Sequence, residues 1–176
     1  NEFKLAYAIS LGIANIYWES GNYSEGLLFC LDAKELFESK NLIDDKVGLL
    51  NLLALNYEGI LEFDQAQKYY DQALEMAQKN NDTGFVAIIN SNQGRMNYKK
   101  GNYQSALVSL LKGSEMEIEN NLLSNAAKSY TLIGKVHVKL NHPDSAYYYL
   151  QKAHEINTQQ NDQLGLVRTY NAYGIY

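Results

Sequence analysis

The sequence predicts an all-α chain of stacked antiparallel helix pairs, and three observations predict it. The chain matches itself at an offset of 40 residues, four times over and into a fifth. Its apolar residues recur at helical spacing, with almost no alternating β-branched runs. A single proline, Pro143, stands in 176 residues, so little interrupts a helix. A fixed period of this size marks a solenoid, in which each unit buries its apolar face against its neighbours.

Laid out column by column, the period divides the chain into units at about 5–44, 45–84, 85–124 and 125–164, with a partial unit at 165–176. The whole chain, 1–176, is expected to be one solenoid domain and a fragment of a longer protein. Ala14, Ala54, Gly94, Gly134 and Gly174 share one column, where a small residue lets two helices approach closely. Gly26, Ala66, Ala106 and Ala146 form another, and Ala33, Ala73, Gly113 and Ala153 a third.

The second unit shows each element. From Val47 to about Leu61, apolar residues fall at Leu49, Leu50, Leu53, Ala54, Tyr57 and Ile60. Asp64 is the expected cap of the next helix. That helix carries Ala66, Tyr69, Tyr70, Ala73, Leu74, Met76 and Ala77 on its apolar side and ends near Asn80 and Asn81. The column Asn41, Asn81, Asn121 and Asn161 falls where a helix must turn, and asparagine tolerates the left-handed conformation used there.

Composition narrows the function. A net charge of −5 argues against general nucleic-acid binding, which needs an excess of Lys and Arg. The lone Cys30 makes no internal disulfide, and its column (Tyr70, Leu110, Leu150) marks it as a buried apolar residue. No stretch approaches the roughly 20 apolar residues needed to span a bilayer. A soluble, cytoplasmic setting is favoured over a periplasmic one. The fifteen tyrosines fall largely in repeat columns, where their rings fill space between helices.

The pattern resembles the tetratricopeptide repeat family. Ile13-Ala14, Tyr17, Gly21-Asn22-Tyr23, Gly26 and Ala33 follow that family's unit, as do Leu53-Ala54, Tyr57, Phe63, Ala66, Tyr70 and Ala73-Leu74. Gly94, Gly101-Asn102-Tyr103, Ala106 and Leu110 follow it in the third unit, and Ile133-Gly134, Ala146, Leu150 and Ala153 in the fourth. The period of 40, longer than the usual 34 or so, is similar to the long-helix variety in kinesin-light-chain-like proteins, LGN-type adaptors and bacterial peptide-sensing regulators. The family's usual proline at the end of the second helix is missing. The resemblance implies a right-handed superhelix that binds protein or peptide in a concave groove lined by the first helix of each pair.

With Tyr7, Val47, Ala87, Ala127 and Val167 as position one, the groove stripe is expected at positions 2, 5, 9, 12 and 13, which share one side of a helix. Position 5 holds Leu11, Asn51, Ser91, Thr131 and Asn171, and all but Leu11 are small polar groups suited to a peptide backbone. Position 9 holds Asn15, Leu55, Arg95, Lys135 and Ile175, position 2 adds Lys128 and Arg168, position 12 holds Trp18, Glu58, Tyr98 and Val138, and position 13 adds Lys99 and Lys139. Segments 87–100, 127–140 and 167–176 contain no Asp or Glu. A positive groove in an acidic protein would hold an acidic peptide, with Arg95 able to chelate a carboxylate.

No catalytic or metal-binding arrangement stands out. His137 shares the column of Tyr17 and Tyr57, His142 lies in a turn, and His154 sits on a second helix. Glu115, Glu117 and Glu119 spread around a helix rather than pairing. No phosphate loop or nucleophile elbow appears. The expectation is a non-catalytic protein- or peptide-binding scaffold with no cofactor. The alternative is a ligand-sensing regulatory domain of a larger bacterial signalling protein, a transcription regulator or sensor histidine kinase. Val167, Tyr170, Tyr173 and Tyr176 form an apolar end, through which end-to-end self-association or an attached domain is expected.

Overall fold

The computed structural model describes residues 2–39 and 46–174. Among them are nine α-helices and no strand: α1 (Glu2–Glu19), α2 (Tyr23–Ser39), α3 (Val47–Gly59), α4 (Phe63–Lys79), α5 (Thr83–Lys99), α6 (Tyr103–Glu119), α7 (Leu123–Lys139), α8 (Pro143–Gln159) and α9 (Gln163–Tyr173). This is an all-α helical repeat fold. The helices gather into two compact units, residues 1–85 and 86–176.

Helix α1 and helices α3 to α8 stop for a visible reason. Residues Gly21, Leu61, Asn81, Gly101, Asn121, Asn141 and Asn161 all have positive φ, between 53° and 80°. At each, two backbone bonds close the turn: at Asn81 its N–H reaches the Gln78 carbonyl, and the Asp82 N–H reaches that of Ala77. That is the paired Schellman closure of a helix C-terminus. The asparagine column therefore has the expected left-handed role at 81, 121 and 161; Asn41 lies outside the described residues. A second such column, at 21, 61, 101 and 141, ends the first helix of each pair.

Helix starts are less uniform. Asp82 and Asp162 accept from the backbone N–H groups of Phe85 and Gly165, each at 2.9 Å, and so cap α5 and α9. Asp64 does not cap α4 as expected. The cap position is Glu62, without a side-chain bond, and Asp64 lies in the first turn, where its charge still favours the helix N-terminus.

Packing follows the columns. In the first unit, Cys30, Leu53, Ala54, Ala66, Tyr70, Ala73 and Ala77 are fully buried. Burial pushes the Cys30 thiol up to about 12. In the second unit, Ala106, Leu110, Ile133 and Val136 form a core against which Tyr98, Tyr103, Tyr130 and Tyr149 pack. Gly94 and Gly134 show why their column stays small: a Cβ there would come within 2.6 Å and 2.7 Å of Leu110 and Leu150 respectively. Aromatic pairs bridge the helices of a pair, with Tyr17 on Phe29, Tyr57 stacked on Tyr69 and His137 stacked on Tyr149 at centroid distances of 6.0, 5.4 and 5.5 Å.

Candidate functional site

The second unit has two layers. Its first helices, α5, α7 and α9, lie side by side, tied by Ser129 Oγ donating to Ser91 Oγ at 3.1 Å and by a 3.3 Å contact between the Thr131 and Thr169 hydroxyls. The second helices, α6 and α8, pack behind them, as the Leu110 and Leu150 contacts show.

Charge is sorted between these layers. Helices α5, α7 and α9 carry no Asp or Glu, and bring Arg95, Lys99, Lys128, Lys135, Lys139 and Arg168. The acids fall on the other layer, Glu115, Glu117 and Glu119 on α6 and Asp144 and Glu155 on α8. Lys99, Lys128, Lys139, Arg168 and Asn171 are exposed, while Arg95 and Lys135 are half-buried. Arg95 Nη1 donates to Asn92 Oδ1 one turn earlier at 3.0 Å, which fixes the stem of the guanidinium.

The small polar column lies deeper than the charged ones. Asn51, Ser91 and Thr131 are buried, and Thr131 Oγ1 also donates to the Ala127 carbonyl at 2.9 Å. These hydroxyls face neighbouring helices, so the surface they offer a ligand is small; only Asn171 of that column is exposed. Tyr98 turns its ring toward Tyr103 at 5.7 Å and into the helical core, and burial raises its phenol above the ordinary range, with Tyr103 adding to it. Ile175 and Tyr176 lie outside the described residues.

What those hydroxyls do was not read from the sequence. Asn157 Nδ2 donates to Thr169 Oγ1 at 3.1 Å, and Thr169 in turn reaches the Gly165 carbonyl at 2.9 Å. One repeat earlier, Ser91, Ser129 and Glu117 occupy the same three columns. Glu117 is buried; desolvation raises its pKa, against the lowering effect of Ser129, Ser91 and Lys128. One of its oxygens has no hydrogen-bond partner. The signal was present in register, hydroxyl and amide or carboxylate recurring together, but only packing shows that the columns meet. In the first unit a buried carboxylate recurs at Glu58, which accepts from the Tyr70 hydroxyl at 2.7 Å.

On the side of the second helices, a cleft of about 380 Å³ is lined by Leu111, Glu115, Ile118, Tyr130, Tyr149 and Lys152. The Lys152 ammonium lies over the rings of Tyr148 and Tyr130, at 4.8 and 5.3 Å from their centroids. Such contacts hold the cation by the ring quadrupole. His137 is buried between α7 and α8, and its pKa is lowered by burial and then by His142. Among the described residues no group of three or more His, Cys, Asp or Glu side chains is placed to hold a metal, and no helix is long and apolar enough to cross a membrane.

The tetratricopeptide repeat model matches residues 47–80 and 127–160, one helix pair in each unit. No curated protein matches the sequence. Solved structures similar to the chain include aspartyl phosphate phosphatase F from Bacillus subtilis, with a TM-score of 0.82 at 19% identity, covering 98% of this chain and 45% of that one. The Rap conjugation gene regulator of plasmid pLS20, in complex with the Phr* peptide, gives 0.86 at 17%, covering 100% and 48%. A kinesin light chain from Podosopora anserina with nearly identical TPR-like repeats gives 0.67 at 16%, covering 99% and 89%. Two of the chain's helix pairs thus match the tetratricopeptide repeat, and the described chain shares the helical repeat fold of these structures. It spans about half the length of the two bacterial proteins.

Proposed function

We propose that this chain is a non-catalytic scaffold that binds protein or peptide, and that its second unit favours an acidic peptide along α5, α7 and α9. The observation that carries this reading is the sorting of charge. Three adjacent first helices hold six cations and no carboxylate, within a chain of net charge −5. Lined-up cations of this kind attract and orient an anionic partner, and a guanidinium held from behind, as Arg95 is by Asn92, loses little freedom on chelating a carboxylate. The peptide complex of the similar Rap regulator supports a peptide as the ligand class.

Ser91, Thr131 and Tyr98 serve this site as packing that positions the helices, Asn51 is buried on α3 in the first unit, and Arg95, Lys99, Lys128, Lys135, Lys139, Arg168 and Asn171 meet the ligand. A second reading is a sensor domain within a larger signalling protein, favoured because the similar bacterial structure is a gene regulator about twice as long. In that reading the same surface binds the signal. The apolar end at Val167 and Tyr170, both more than half exposed, is where self-association or an attached domain would seat.

The test is binding of a fluorescent Asp/Glu-rich peptide and its Lys-rich counterpart to wild type and to the Arg95→Glu/Lys135→Glu variant. The wild type is expected to prefer the acidic peptide, and the variant to lose at least tenfold in affinity with its helicity unchanged. Equal binding by both proteins would remove the acidic-peptide site.

A further inference from the structure

The cleft on the side of the second helices carries chemistry that the first helices lack. Helix α6 lines it with Leu111, Glu115, Ile118 and Glu119, Tyr130 reaches it from α7, and α8 supplies Tyr149 and Lys152. Glu115 and Glu119 stand four residues apart, so one turn of helix sets both carboxylates on the same edge. Both are exposed, and among the described residues neither forms an ion pair. Leu111 and Ile118 beside them are 36% and 40% exposed.

Lys152, the cation of this lining, is engaged with rings rather than with these acids. Its ammonium lies 4.8, 5.3 and 5.9 Å from the ring centroids of Tyr148, Tyr130 and Tyr149. Ring faces hold a cation by their quadrupole and carry no net charge, so Glu115 and Glu119 stay unneutralised. The first unit shows the contrasting case. There Lys34, Glu38, Leu50 and Gln72 line a cleft of about 360 Å³ and stand in the columns of Ser114, Ile118, Tyr130 and Lys152. Glu38 accepts from Lys34 at 2.8 Å and from Lys46 at 3.2 Å, so its charge is met from two sides. In the second unit the columns of Lys34 and Lys46 hold Ser114 and Ala126, which bring no cation.

We propose that the cleft between α6 and α8 binds an arginine side chain on a segment of a partner protein. The guanidinium pairs with Glu115 and Glu119, its flat face lies against the tyrosine rings, and its stem runs along Leu111 and Ile118. Arginine suits this lining better than lysine, because its planar fork matches a carboxylate and its weak hydration favours stacking. The volume, about 380 Å³, lies in the range of clefts that take a ligand. Charge complementarity sets the sign of the occupant: two unpaired carboxylates face one ring-held ammonium, and the net charge of −5 draws a basic partner in. This surface belongs to the second helices and does not rest on the acidic-peptide reading.

The probe is a labelled peptide of alternating glycine and arginine, with a glycine–lysine counterpart of equal length, titrated into the 176-residue chain. Saturable binding of the arginine peptide is expected, at least threefold tighter than that of the lysine peptide, with the Tyr130 and Tyr149 ring resonances shifting as it binds. Glu115→Gln/Glu119→Gln is expected to weaken it at least tenfold with helicity unchanged. Glu25→Gln/Glu35→Gln, which removes as much exposed charge from α2, is expected to change it less than twofold. Equal losses in the two variants would assign the binding to diffuse charge attraction and overturn the proposal. So would ring resonances that stay in place, a lysine peptide that binds as tightly, or no saturable binding to wild type.

Discussion

Leu61 is the residue whose conformation its side chain least suits. It sits at φ 66°, where its columnar equivalents are Gly21, Gly101 and Asn141. A Cβ in that region costs about 1–2 kcal/mol, because it crowds the neighbouring carbonyl. Its side chain is exposed, so nothing in the packing repays the strain. Leu61→Gly is expected to raise stability by about 1 kcal/mol, the gain reduced by glycine's greater freedom when unfolded; urea unfolding would show it as a higher midpoint at unchanged slope. Glu117 offers a second test at this scale. Its carboxyl is raised in the fold by burial, so the native state holds the proton more tightly than the unfolded chain. Its contribution to stability is therefore full below about pH 4.5 and is lost as pH rises through the folded value. Glu117→Gln is expected to flatten that slope, so its stability relative to wild type should increase between pH 5 and pH 7.5. A constant difference across those pH values would mean that Glu117 stays ionised in the fold.

At the scale of elements, the helix pairs depend on complementary columns rather than on single large residues. Gly94 and Gly134 face Leu110 and Leu150, while Ala54 and Ala14 stand where the facing column holds Tyr70 and Cys30. A methyl added at Gly134 meets the Leu150 side chain at 2.7 Å, closer than a relaxed core allows. Alanine would favour the helix by roughly 1 kcal/mol, but overpacking costs about 1–3 kcal/mol. Gly134→Ala is therefore expected to lower stability by about 1 kcal/mol, visible as a lower thermal midpoint. The turns between elements were half legible. The asparagines at 81, 121 and 161 announce left-handed closure by residue type, whereas Leu61 announces nothing, since leucine reaches that conformation only when both flanking helices impose it. Asp64 misled for a related reason: a capping residue type is common in a first turn as well as at the cap, and the positive-φ turn at Leu61 sets where α4 begins.

For the whole molecule, net charge and charge placement pull in different directions. A chain of −5 repels an acidic partner at long range, yet α5, α7 and α9 attract it locally. Screening weakens both, the local attraction more visibly because it governs the bound state. Affinity for the acidic peptide is expected to fall severalfold between about 50 and 300 mM salt, which anisotropy titrations at the two concentrations would check.

The 40-residue period by itself determined the helical repeat, the small-residue columns, the buried Cys30 and the left-handed asparagines, because each follows from residue type and spacing along one helix. It also placed the basic residues on the first helices, where a run without Asp or Glu can be read directly. Only the tertiary structure decided which columns meet. Ser91 and Thr131 share a helix face with the cations, yet their hydroxyls turn to Ser129 and Thr169, since a neighbouring helix 38 residues away supplies the partner. The same holds for Ile9, Ile13 and Ile16, which are exposed although their pattern matches that of buried helices. Whether such a face is core or surface depends on whether another helix lies against it.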